Sequence, residues 1–308
     1  MKTSVVISAY NGKRYIIEQL ESIRQQSQPV DEVLIADDCS TDGTPELVQA
    51  YIDQHHLAGW HVEVNTVNKG WRRNFMEAMW ASTGDVVFSC DQDDLWHPDK
   101  VKLMTATLTV HPEISLLTSN YDEFFPDGKH RLAPWPKQTG LFEVPLKRNY
   151  MLVKAPGCTY AIRRSLLDVA KKYWQPDYPH DALLWRLSQF NHGLYALAQP
   201  LLRWRKHETS AFAKESKDLK TIEAKQAWIK VANAANETLR EYVRNEVPGD
   251  TRHQQAILAR TSEWLKRRQR FYDAQKIVSG LALLPYWSSY PRIRQYPGDW
   301  YLIFIKKK

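Results

Sequence analysis

The chain has 308 residues and a mass of 36.0 kDa, with 42 basic against 35 acidic side chains and 43% hydrophobic residues. That balance fits a globular protein with a sizeable core and excludes a disordered or fibrous chain. No apolar run approaches the roughly 18–20 residues of a membrane span, the longest, over 277–287, being interrupted by Pro285. A strand-like run starts at Ser4, leaving no room for a signal peptide. Cys39, Cys90 and Cys158 are widely spaced with no CxxC pair, which argues against a disulfide framework or a cysteine zinc site and for a reducing cytosol.

Residues 4–9 read as a buried strand, and 14–26 as a helix with Ile16, Leu20 and Ile23 at three-to-four spacing. A second strand is expected over 32–36. Thr44 is placed to cap the next helix, with Pro45 in its first turn and Leu47, Val48 and Tyr51 on its apolar face. The pattern then predicts strands over 61–67, 85–90 and 114–121, separated by helices over 75–80 and 98–110. Such alternation implies an α/β fold with a mostly parallel sheet covered by helices. Ligands of these sheets sit at the carboxyl ends of the strands. Ala9-Tyr10-Asn11, Asp37-Asp38 and Asp91-Gln92-Asp93-Asp94 are therefore expected on one rim.

Beyond residue 125 the pattern loosens into a loop-rich stretch to 150, with Pro134, Pro136 and Pro145. A short strand over 158–162 and helices over 163–172 and 181–190 follow. The extended stretch 194–204 contains Pro200, which reads as an edge strand or two short ones. From 214 the texture is helical, with Trp228, Val231, Ala235, Leu239 and Tyr242 on one face. Pro248-Gly249 breaks it, and a second helix spans about 254–276. Charge shifts at the same place: 1–213 hold 23 basic and 25 acidic side chains, 214–308 hold 19 and 10.

The dinucleotide GxGxxG, the GxxxxGK[ST] phosphate loop, the GxSxG elbow and the HExxH zinc helix are all absent. What stands out is acidic. A single strand-end Asp is ordinarily a turn or cap, but Asp91, Asp93 and Asp94 fall within four residues and repel one another unless they share a cation. Carboxylates of this kind hold Mg²⁺ or Mn²⁺ and, through the ion, a phosphate-bearing substrate.

Four motifs, Ser8-Ala9-Tyr10-Asn11-Gly12, Asp37 to Thr44, Asn68-Lys69-Gly70 and Asp91 to Trp96, occur in the order and spacing of family 2 glycosyltransferases, which the chain thus resembles. The resemblance is specific over 4–100, continues to about 210 and is weak beyond. It implies a GT-A type, Rossmann-like fold, a nucleotide-sugar donor, a divalent cation and inversion at the sugar carbon. The implied layout is a catalytic domain over 1–213, with a nucleotide-sugar half at about 1–100 and an acceptor half at about 101–213, and a basic helical region over 214–308.

Residue by residue, the resemblance implies that Ala9, Tyr10 and Asn11 floor the base pocket and that Asp38 accepts from N3 of uracil or thymine; Asp37, by its own chemistry, reads as an Asx turn. Gly70 and Asn74 would lie near the diphosphate and sugar, with Arg72 and Arg73 as phosphate partners or solvated helix positions. Asp93 and Asp94 match the ribose and metal contacts, and Asp91 opens the DxD. Asp181, at a helix start, would be the general base, with Asp177 as the nearest competitor. In Arg203-Trp204-Arg205-Lys206-His207, His207 would add a metal ligand, and Arg203 or Arg205 a diphosphate contact. The texture is most similar to the rhamnosyltransferase branch, which implies TDP-rhamnose as donor and a growing, lipid-linked bacterial surface polysaccharide as acceptor. A UDP-hexose or UDP-N-acetylhexosamine donor, or a non-catalytic nucleotide-sugar-binding protein, are the alternatives. The C-terminal mix of aromatic, apolar and basic residues, ending at Lys306-Lys307-Lys308, suits an anionic membrane surface at the inner face of the cell membrane, or else a homodimer contact. The acidic body and the lack of an RNA-binding aromatic motif speak against nucleic acid.

Overall fold

The structure, a computed structural model, describes residues 1–176, 178–207 and 221–306. Asp177, Lys307, Lys308 and the expected boundary at 213 lie outside the described residues. The chain divides into two compact units, one of residues 1–144 and 154–206, the other of 145–153 and 207–308.

The first unit is built on a sheet ordered β3-β2-β1-β4-β9-β6-β10-β5. Strands β1 (Thr3–Ala9), β2 (Glu32–Asp37), β3 (Trp60–Val64) and β4 (Val86–Asp91) are all parallel. Val5, Val6, Ile7, Val33, Ile35, Val86, Val87 and Phe88 have no accessible surface, as a parallel sheet covered on both faces requires. The covering helices are α1 (Ile16–Arg24), α2 (Thr44–Gln54), α3 (Trp71–Ala81) and α4 (Lys100–Val110), each burying one stripe. Beyond β4 the sheet turns mixed. After the two-residue β5 (Leu95–Trp96) comes β6 (Leu116–Phe124), on which β7 (His130–Ala133) folds back antiparallel; β8 (Leu141–Glu143) follows. Strand β9 (Tyr160–Arg163) is antiparallel to both β4 and β6. Helices α5 (Arg164–Tyr173) and α6 (His180–Phe190) lead to β10 (Leu194–Arg205), parallel to β6.

Register makes the rim. Ala9 pairs with Asp37, and Ser8 with Asp91, so β2 and β4 end within one residue of each other, with Asp37 and Asp91 flanking the end of β1. Because β9 runs antiparallel to β4, the one-turn 3₁₀ segment Gly157–Thr159 just before it falls beside the end of β4, and Ser89 Oγ donates to the Gly157 carbonyl at 2.5 Å.

Four expectations change. Thr44 does not cap its helix; it opens it, its N–H going to Asp42 Oδ1 at 3.0 Å while its hydroxyl accepts the Gly12 N–H at 2.9 Å. Cys158 sits in the 3₁₀ turn, not in the strand. The stretch around Pro200 is one continuous strand inside the sheet, with register shifts on either side of the proline. Pro200 is tolerated because β8 pairs only 195–197 and β5 only 202–203, so no neighbour on that side asks for its missing N–H. Val231 is exposed rather than buried. The buried stripe of its helix runs through Ile229, Ala232, Asn236, Leu239 and Val243, and includes a polar residue that hydropathy would place outside.

The second unit packs α7 (Ile222–Asn245) with α8 (Arg252–Ala274). Asn236 is satisfied there by the Tyr150 hydroxyl, which donates at 2.6 Å, and by its own bonds to Leu258 O and Ser262 Oγ. Deeper still, Arg268 makes a two-pronged pair with Asp299, both bonds 2.7 Å, and the Tyr272 and Tyr290 hydroxyls donate to the same carboxylate. Trp228, Trp264 and Tyr290 rings enclose the guanidinium. A buried pair is costly to break one-sidedly, since the survivor is left as an unpaired charge. Arg268→Ala is expected to lower unfolding free energy of the second unit by about 3–5 kcal/mol, read by denaturant unfolding of the full chain.

Candidate active site

The acidic turn is assembled by two long-range ties. Arg205, at the end of β10, donates its backbone N–H to Asp94 Oδ1 at 2.9 Å and its Nε–H to the Asp93 carbonyl at 2.7 Å. Its Nη2 reaches Glu18 at 2.7 Å. Gln92 clamps the other side, its Oε1 accepting the Tyr10 N–H at 2.9 Å and its Nε2 donating to the Tyr10 carbonyl at 3.1 Å. A Cβ at Gly12 would stand 2.2 Å from Gln92 Oε1, so the clamp closes only over glycine.

Asp94 is wholly buried, and its Oδ2 has no hydrogen-bond partner. An orphaned buried carboxylate oxygen is expensive unless neutralised or shared with a cation. Ligand atoms of Asp91, Asp94 and Cys158 lie within 4.8 Å of one another, the one such group among the described residues. Burial, then the neighbouring Asp93 charge, raises the Asp91 carboxyl to about 7, with Asp181 adding to the push. Asp94 is raised well above the usual range by burial, Asp93 and Asp91. The same burial and the adjacent carboxylates push the Cys158 thiol up, so sulfur stays protonated while the two carboxylates provide hard oxygen donors. Two adjacent carboxylates, one with an unclaimed oxygen, fit a hard divalent cation. Asp93 and His207 are not in this group, and His207 belongs to the second unit.

One buried cation accompanies the acids. Lys100 Nζ donates to the Cys158 carbonyl at 2.8 Å and lies 3.8 Å from the centre of the Trp96 ring. Burial lowers it to about 8, against the pull of Cys90, Cys158, Asp94 and Asp91. Neither residue stands out in the sequence: Lys100 opens α4, and the antiparallel return of β9 brings Cys158 to the acidic turn.

Asp37 behaves as the Asx turn expected, accepting from Ser40 N at 2.8 Å and Ser40 Oγ at 2.6 Å. Asn11 completes the rim, its N–H on Ser40 Oγ and its Oδ1 under Thr41 N–H. Ala9 is buried beneath it, and Tyr10 is half exposed at the mouth. Asp38 is buried and organises the following loop: Oδ1 accepts from Asn65 Nδ2 and Lys69 N, Oδ2 from Gly70 N at 2.8 Å. Asn74 is likewise engaged, donating to Ser8 Oγ and Ala36 O and accepting from Asn65. Arg73 pairs with Glu77 at 2.6 Å, as does Lys69 at 2.8 Å. The Arg72 guanidinium lies over the Trp71 ring. Arg203 is exposed over Phe124 and lines a groove of about 580 Å³ with Glu18, Trp96, His97 and Asp122, a lining that leaves out the acidic cluster.

Asp181 sits in the first turn of α6, half-buried, its Oδ1 accepting the Ala182 N–H at 2.7 Å. Its neighbour His180 fixes that helix start. The imidazole is buried against Phe75 at 4.3 Å and Trp71 at 5.8 Å, and neither ring nitrogen has a hydrogen-bond partner. Burial, aided by the Arg72 charge, holds it down at about 3, so it is a neutral packing group. A Cβ at Gly157 would stand 2.8 Å from His180 Nε2 and 3.2 Å from Asp181 Cβ, so glycine is what lets the 157–159 turn and the start of α6 meet.

The raised Asp91 has a sign that can be measured. A carboxyl held above its ordinary value stabilises the fold at low pH and withdraws that contribution as pH rises from about 4 through about 7. Stability of the metal-free wild type relative to Asp91→Asn is expected to fall over that window, by on the order of 1–3 kcal/mol, followed by thermal unfolding at a series of pH values.

The dTDP-rhamnosyl transferase RfbG of Shigella flexneri is 27% identical over 297 residues, 90% of this chain and 99% of its own. The poly(ribitol-phosphate) beta-N-acetylglucosaminyltransferase TarS of Staphylococcus aureus is 34% identical over 119 residues, 38% of this chain and 20% of TarS. The TarS 1–349 structure in complex with UDP superposes with a TM-score of 0.63 at 21% identity, covering 99% of this chain and 81% of that one. A mannosyltransferase of Pyrobaculum calidifontis, in complex with GDP-Man and Mn²⁺, matches at a TM-score of 0.54 and 18% identity, over 99% of this chain and 88% of that one. These likenesses establish a GT-A type fold. The model of glycosyl transferase family 2 matches residues 4–169, more than half of the chain, and with the acidic turn, the rim and the fold in agreement the protein belongs to that family and is a glycosyltransferase.

Proposed function

We propose that the protein transfers L-rhamnose from TDP-rhamnose, with inversion, to a hydroxyl of a growing bacterial surface polysaccharide carried on a lipid. The observation that carries the donor is the end-to-end similarity to RfbG, whose length the chain covers at 99%, where TarS is matched over a fifth of its own. A UDP-sugar donor is the second reading, favoured by the fold shared with TarS in complex with UDP-GlcNAc, at a TM-score of 0.66 and 23% identity over 84% of this chain and 71% of that one.

In this reading the nucleotide lies along the rim formed by Ala9, Tyr10 and Asn11, with its diphosphate toward Asp91, Asp93 and Asp94 and toward Gly70 at the opening of α3. Asp181 takes the proton of the acceptor hydroxyl. That oxygen bonds to the sugar C1 from the side opposite the diphosphate, and the C1–O bond breaks with its electron pair leaving on the nucleoside diphosphate. Mg²⁺ or Mn²⁺, held by Asp91 and Asp94, supplies positive charge for the leaving diphosphate when bound. Asp181 suits the base role because it is half-exposed and in the first turn of a helix, where the dipole favours the ionised carboxylate. Lys100, lowered to about 8, still places a positive charge behind the carboxylates at neutral pH.

Two measurements test this. Melting the protein with TDP, UDP, GDP and their sugar conjugates, with and without Mn²⁺, should single out TDP-rhamnose; a ligand at about 100 times its Kd adds roughly 2.7 kcal/mol. Stabilisation by UDP ligands alone would discard rhamnose and keep the enzyme class. Asp181→Asn is expected to lower kcat by about 10²–10⁴ with donor affinity unchanged. Normal turnover in that variant rules the base assignment out.

A further inference from the structure

We propose that the end of the second unit carries a docking face for an anionic lipid bilayer. Among the described residues, most of the exposed large apolar side chains fall between 277 and 305. Ile277, Val278 and Leu281 stand out from the short helix Ile277–Leu281, Val278 with 78% of its surface open. Trp287 follows in the next turn, and Phe304 and Ile305 come from the last one.

The short helix and the last turn form one neighbourhood. Gly280 is pressed onto Trp300 and Phe271: a Cβ there would meet Trp300 Cζ2 at 2.4 Å and Phe271 Cε2 at 2.8 Å. The Tyr296 hydroxyl donates to the Gly280 carbonyl at 3.2 Å. The Phe304 ring lies 5.5 Å from Trp300 and 6.1 Å from Phe271. One face of the short helix is thus spent on Trp300, and the side chains flanking Gly280 are left outward, next to the turn that bears Phe304 and Ile305.

Charge identifies the partner. From 276 to 306 the sequence has four cations, Lys276, Arg292, Arg294 and Lys306, and one acid, Asp299. All four cations are exposed, whereas Asp299 is buried and taken by Arg268, Tyr272 and Tyr290. The outward charge of this stretch is therefore positive only, around aliphatic and aromatic groups. That combination matches lipid tails beneath anionic headgroups. A second copy of the chain placed symmetrically on the face would bring like charges together, and open aliphatic groups offer nothing on which a nucleic-acid base stacks.

The proposal extends the lipid-linked acceptor reading but rests on this surface alone. The full chain is mixed with vesicles of phosphatidylcholine, or of phosphatidylcholine with phosphatidylglycerol, and sedimented. It should pellet with the mixed vesicles, remain in solution with phosphatidylcholine alone, and be released by salt. Val278→Ser with Ile305→Ser, and separately Arg292→Glu with Arg294→Glu, should each reduce the bound fraction about tenfold or more at an unchanged melting temperature, all four positions being exposed. Equal recovery in the supernatant with both vesicle types overturns the proposal, as does a dimer in light scattering that both double variants abolish. Donor-induced thermal stabilisation is measured without vesicles, so failure of the lipid face and failure of the transferase reading are told apart.

Discussion

The acidic turn is anchored by a long-range contact, the backbone N–H of Arg205 on Asp94 Oδ1. It ties the loop after β4 to the end of β10, two segments 111 residues apart. With it, Asp94 is withdrawn from water, its second oxygen has no protein partner, and Asp91 is held at its side. The resulting electrostatic tension is concentrated at the point where a cation fits. Arg205 also braces the turn against α1 through Glu18, with its guanidinium over Tyr15 and Phe124.

The parallel half of the sheet was legible because its cause is local. Runs such as Val5-Val6-Ile7 are buried on both faces and bounded by turn residues, and each is followed by a helix with a single apolar stripe. The rim followed from the rule that parallel strands end together. What sequence could not show lies where distant segments meet. Cys158 reaches Asp91 through an antiparallel return that periodicity does not announce. Lys100 looks like an ordinary lysine at a helix start, and only the fold buries it. Pro200 signals an edge by its own chemistry, yet two short partners leave a gap for it. In the second unit Val231 fits the apolar stripe better than Asn236 does, and the Tyr150 hydroxyl decides the matter the other way.

Several residues with an expected role in binding are committed to structure. Asp38 and Asn74, with Asn65 between them, hold the loop that leads into α3, and Glu77 collects Arg73 and Lys69. The rim is therefore preformed: its backbone is fixed by carboxylates and amides before any nucleotide arrives, which limits the ordering that binding must impose.

The Arg268–Asp299 pair has a consequence for how the chain comes to be folded. Its two halves are 31 residues apart. At a synthesis rate of about 5–20 residues per second the arginine exists for a few seconds before its counter-ion is made. During that interval α8 carries a cation that cannot be buried without a partner, so the aromatic box around it cannot close. The core around Arg268 therefore closes only once the stretch that carries Asp299 has been made.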